Sequence, residues 1–192
     1  MRPHLLRRPA LAFRAATLAV ALSACGNPAI DVRVDALGEE KPGVPPGPFH
    51  RPGQPCLLCH GTYGGEGPLM SVAGTIYATP ADETPVSGAK VTLVDAQGDV
   101  RTLTTNCIGN FYVEKATWDP LFPLHAEIEY PVPGVEGATK RVVMSTRISR
   151  DGGCAGCHTG TPNQGSPGWV YCAASDSGLT FPTPDSSCEG VP

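Results

Sequence analysis

Two pentapeptides carry the most specific chemistry in the chain: Cys56-Leu57-Leu58-Cys59-His60 and Cys154-Ala155-Gly156-Cys157-His158. Two thiols three positions apart can reach the two vinyl groups on one edge of a porphyrin and form thioethers. The histidine that follows then falls beneath the iron as its proximal ligand. A C-x-x-C pair alone also serves zinc or dithiol redox chemistry. A zinc ion shared by both pairs would use four sulfurs, but gives no reason for a histidine at the same place in both motifs. The spacing therefore predicts two covalent haem c groups, each with its iron. Cys56, Cys59, Cys154 and Cys157 are expected as thioether positions, and His60 and His158 as proximal ligands. Zinc in place of haem is the alternative.

The opposite axial positions can be bounded by counting. Beyond residue 24 the chain has four histidines, and His50 and His125 remain once two are proximal. Both are candidate distal ligands, in competition with Met70 and Met144. His50 lies beside Pro52 and Pro55, six residues before Cys56, which argues against its capping its own motif's iron. His125, in Leu124-His125-Ala126, reads equally well as an exposed strand histidine. An open coordination site on one iron is a further option.

The segments that hold these groups cannot be long helices. Gly61, Gly64, Gly65, Gly67 and Pro68 follow the first motif, and Gly160, Pro162, Gly165, Pro167 and Gly168 follow the second. Such flanks cannot form the helical shell of a class I cytochrome c. The pattern is closer to multihaem cytochromes, in which short irregular loops hold haems that pack on one another.

Composition agrees. With 23 Gly and 21 Pro in 192 residues, helix interiors would be interrupted too often for a helical bundle or a wound α/β enzyme. A net charge of −4 argues against a nucleic-acid partner. Eight cysteines are too many for a reduced compartment unless they bind something.

Residues 1–24 read as an export signal, with Arg2, Arg7, Arg8 and Arg14 before a short apolar run. Leu22-Ser23-Ala24-Cys25 resembles a bacterial lipobox, which implies lipidation of Cys25. Gly26 behind it implies, by resemblance to enteric lipoproteins, transfer to the outer membrane. The expected location is the cell envelope, with attachment to the membrane through the lipid. Without residues 1–24 the chain has 10 basic and 18 acidic residues, a net charge of −8. That suits redox partner proteins with basic docking patches. Residues 25–49, with Pro42, Pro45, Pro46 and Pro48, read as a disordered tether.

Residues 50–71 form the first haem segment, and 147–192 the second together with a C-terminal loop. Between them, 72–146 changes character. Lys90-Val91-Thr92-Leu93-Val94 alternates with period two, and six or seven short strands recur with turns every 8 to 12 residues. The expected fold is mainly β, a small sandwich flanked by irregular haem-binding segments. Gly74-Thr75-Ile76-Tyr77, Pro85-Val86-Ser87-Gly88-Ala89-Lys90-Val91-Thr92-Leu93 and Thr105-Asn106-Cys107-Ile108-Gly109-Asn110-Phe111 resemble the carboxypeptidase regulatory-like (transthyretin-like) family. The resemblance departs at Asn106-Cys107 and loosens beyond Glu114. It implies a structural or adhesive β-sandwich with no catalytic residues. Both haem segments are expected to gather at one end of it.

Three cysteines remain. A Cys172–Cys188 disulfide would close a loop with little core, although Cys107 could pair with either. No catalytic constellation stands out, so an electron carrier is favoured over an enzyme of the dihaem peroxidase kind. The alternative is a binding or structural lipoprotein in which haem is structural or sensory.

Overall fold

The computed structural model describes residues 27–40, 47–160, 162, 165–175 and 177–183. The proposed signal, Cys25 and Cys188 lie outside them. Two sheets face one another, and the expected mainly β fold is what the chain adopts.

The first sheet is built on β1 (Met70–Thr79), whose neighbours in the antiparallel sense are β2 (Asp82–Pro85) and β5 (Asn110–Glu114). Two short strands, β8 (Gly152–Gly153) and β9 (Val170–Tyr171), pair with β1 in parallel. The second sheet has the order β4-β3-β6-β7, formed by Val100–Thr104, Lys90–Val94, His125–Pro131 and Thr139–Val143. All its pairings are antiparallel.

The alternation in β3 does what its period requires. Val91 and Leu93 face inward at 2% and 1% exposure, while Lys90 is exposed. They join Val72, Ile76, Phe111, Val113, Ile128 and Tyr130 in one core. Each such aliphatic side chain contributes about 1.5–3 kcal/mol by leaving water. Strand β1 shows no alternation: eight of its ten positions are buried, because β5, β8, β9 and the motif segments cover it.

Two turns fix the frame. In the first, Asn106 Oδ1 accepts from Ile108 N and Asn110 N. Gly109 has φ +75°, and a Cβ there would lie 2.4 Å from the Ile76 carbonyl oxygen. The need for glycine at this position is therefore both conformational and steric. In the second, Asp95 joins β3 to β4. Its carboxylate accepts from Gln97 N (2.8 Å), Asp99 N (3.0 Å) and Leu121 N (3.2 Å). Burial works to raise the Asp95 carboxyl pKa, but the backbone N–H groups of Leu121, Gln97, Asp99 and Gly98 outweigh it. The group is held below its ordinary value.

Part of the expected tether is structured. Residues 27–40 include helix α1 (Pro28–Asp35), and Arg51 Nη2 donates to Gly38 O at 3.0 Å. Asn106 Nδ2 donates to Pro48 O at 2.7 Å. This segment is held against the sandwich by polar contacts that a proline count does not reveal. Residues 41–46 lie outside the described residues.

Gly109→Ala should lower unfolding stability by about 2 kcal/mol or more, since left-handed strain adds to a backbone clash; chemical denaturation measures it. Because the Asp95 pKa is depressed on folding, its stabilisation is present above the unfolded value of about 4 and is lost as pH falls through the folded value. Asp95→Asn should therefore melt below the wild type at pH 7, with the gap closing in acid, read from thermal unfolding across pH.

Candidate functional site

Each Cys-Cys-His motif forms a single helical turn. In the first, helix α2 (Leu57–His60) is entered from Cys56, and His60 N donates to Cys56 O at 2.9 Å. In the second, a 3-10 turn spans Cys154–Gly156, and His158 N donates to Cys154 O at 2.8 Å. Positions i, i+3 and i+4 share a face of one turn, so each motif groups its two thiols with its imidazole. The two sites are alike in local geometry although one follows a loop and the other emerges from a strand.

The imidazoles are oriented alike as well. His60 Nδ1 donates to Pro68 O at 3.2 Å and His158 Nδ1 donates to Gly168 O at 3.0 Å. A carbonyl oxygen can only accept, so Nδ1 carries the proton and the neutral ring keeps a lone pair on Nε2. A backbone carbonyl on the far nitrogen is the usual way a protein aims a histidine at a metal. His50 has the same arrangement, with Nδ1 on Gly47 O.

Each motif borders its own cavity. The first, of about 600 Å³, is lined by Cys56, Cys59 and His60, with His50, Met70, Phe111 and Tyr112 around it. Val34, Leu37 and Pro48 close it from the N-terminal side, so the expected tether supplies a wall. The second, of about 670 Å³, is lined by Cys154, Cys157 and His158 and opens between the sheets. Ile76 and Phe111 come from one sheet, Leu93 and Ile128 from the other, and Met144 and Trp169 border it. Both volumes lie in the range of cofactor pockets.

The structure separates the candidate distal ligands. His50 and His60 rings lie 5.7 Å apart between centres, tilted by 53°. Metal–imidazole bonds of about 2 Å put two rings that share one ion roughly 6 Å apart. His50 is thus beside its own motif, contrary to the expectation drawn from its prolines. The chain folds back because Arg51 (φ 49°) and Gly53 (φ 76°) both take left-handed conformations. Asn110 Nδ2 then holds the His50 carbonyl at 3.1 Å. His125 lines neither cavity. It begins β6, opposite Val94, as a strand residue.

Both motif segments dock on β1. Thr75 Oγ1 accepts from Gly53 N at 2.8 Å and donates to Asn110 Oδ1 at 2.6 Å. On the other segment, β8 and β9 flank the second motif in parallel register with β1. A Cβ on Gly74 would lie 2.9 Å from Cys154 Sγ, so the missing side chain makes room for that thiol. The segments also meet each other: a Cβ on Gly53 would be 3.1 Å from the Trp169 ring, and one on Gly153 would be 3.4 Å from Leu57 Cδ1. They come together along the middle of β1 rather than at an end of the sandwich.

Burial separates the thiols chemically. Desolvation raises the Cys56 and Cys59 pKa values, and Glu66 adds to the effect at Cys59. Desolvation, with Cys56 nearby, pushes Cys154 up to about 12. Cys172 is a free thiol at 1% exposure, also pushed up to about 12 by burial. The expected Cys172–Cys188 bridge is therefore corrected: Cys107, buried in the Asn106 turn, is the disulfide-bonded cysteine, with its partner outside the described residues. Cys172 instead packs in the core.

Among the described residues no three His, Cys, Asp or Glu side chains gather as a metal-binding group. A protein-held zinc needs about four such ligands.

No family model, no curated protein and no solved structure matches the chain.

In protein carrying no cofactor and alkylated at neutral pH, exposed Cys157 should react first and Cys172 only on unfolding, as peptide mass spectrometry would record. The buried thiol is protonated and shielded, and only the thiolate attacks.

Proposed function

We propose that the chain is a dihaem c-type cytochrome that passes single electrons at the bacterial cell envelope. One observation carries this reading: the same set of two thiols and a histidine, with Nδ1 on a backbone carbonyl, stands beside a separate cavity at both motifs. Cys56, Cys59, Cys154 and Cys157 would hold the two groups covalently, and His60 and His158 would bind the irons from one side. Haem supplies a reversible one-electron change at iron.

The chain's own residues do the rest. Pro68 O and Gly168 O hold the proximal rings in one tautomer, and Asn110 holds His50 toward His60. The close approach of Gly53 to Trp169 and of Gly153 to Leu57 would hold the two motif segments together and so favour transfer between the groups. Cys25 in its lipobox-like setting would attach the protein to a membrane, more readily the outer one, and the surplus of acidic residues would suit basic redox partners. The sandwich, similar in sequence pattern to carboxypeptidase regulatory-like modules, would act as the rigid frame.

Full-length protein made with a c-type maturation system should show a Soret band and two haems per chain by pyridine haemochrome assay. Cys→Ala changes within either motif should lower that ratio to one. Protein that matures without any Soret absorbance would sink the cytochrome reading.

A further inference from the structure

We infer that the two sites are inequivalent, with Met144 as the distal ligand of the second iron and His50 as that of the first. The inference rests on the dihaem reading above and concerns what the chain presents at each cavity. The first cavity contains a second imidazole 5.7 Å from the proximal one, centre to centre. The second contains no second histidine: its lining includes His158 and the thioether of Met144, while His125 lies outside it. Met144 follows β7 directly, and its N–H donates to Ala126 O at 3.0 Å, which ties its backbone to β6 at the cavity wall. Met70, the other competing thioether, borders the first cavity, where His50 already faces His60.

Charge around the cavities acts in the same direction as the ligands. At the first, Arg51 pairs with Glu40 at 4.0 Å, and Glu66 adds a further negative charge. At the second, Arg147 and Arg150 stand against Asp151, while Glu127 pairs with Arg141 at 3.4 Å. Histidine–methionine ligation raises a haem potential relative to two histidines. The first lining carries one basic and two acidic residues and the second two of each, and a negative surplus favours the ferric state, which carries one more positive charge than the ferrous. Both effects make the first site the low-potential one and the second the high-potential one. An electron entering at the first site would then move downhill to the second, along β1.

The test uses the full chain matured with both haems, the haem content being measured first. The ferric wild type should show the near-infrared charge-transfer band of thioether-ligated haem, and a spectroelectrochemical titration should resolve two waves. Met144→Leu should abolish the band and shift only the upper wave downward, with two haems per chain retained. Met144→His, which keeps a ligand in place, should also lose the band but stay low-spin by electron paramagnetic resonance. Met70→Leu should leave band and waves unchanged. Two bound haems with no such band in the wild type, or a band that survives Met144→Leu or disappears in Met70→Leu, would overturn the assignment and leave the dihaem reading standing. A matured chain without haem would overturn both.

Discussion

Both Cys-Cys-His segments depend on the backbone and side chains of one strand. On β1, Thr75 Oγ1 receives Gly53 N and passes a hydrogen bond to Asn110, which in turn holds the carbonyls of His50 and Pro48. One residue earlier, Gly74 leaves the space into which Cys154 packs. The same strand pairs with β8 and β9 on either side of the second motif in sequence. Its polar groups lie where they are buried, and a buried donor or acceptor without a partner costs about 1–3 kcal/mol. Every one of these bonds therefore constrains where a motif can sit. The strand explains how segments 98 residues apart, from Cys56 to Cys154, come to be neighbours.

The motifs themselves need little support. One helical turn puts two thiols and an imidazole on a common face, and one carbonyl on Nδ1 fixes the ring. What differs is the environment each is given. The first cavity is walled by the N-terminal helix and turn, the second by the inner faces of both sheets. Similar local chemistry is thus placed in surroundings of different charge and with different lining side chains. The thiols differ in environment too: Cys157 is exposed and Cys154 is not, although only two residues lie between them.

The strands that alternate or run apolar were legible in the sequence. The pattern in 90–94 gave β3. Strands β8 and β9 were not legible, because two residues carry no period and only pairing with β1 defines them. The structured part of 27–40 was hidden for a related reason: α1 buries none of its residues, so it has no apolar stripe to read. For His50, the neighbouring prolines suggested distance from its motif. Two left-handed residues reversed the chain instead, and Arg51 is not a type that advertises that conformation.

By itself the sequence determined the chemistry available: the two motifs, their histidines, the shortage of helix and the β character of 72–146. Residue type and spacing are local properties, and the i, i+3, i+4 geometry follows from them without any other part of the chain. The tertiary structure alone decided that His50 stands beside His60 while Met144 lines the cavity of His158, which cysteine enters a disulfide, and that the two motifs meet on β1. Those are long-range contacts, such as Asn110 with His50 and Gly74 with Cys154, and no local pattern encodes a partner tens of residues away.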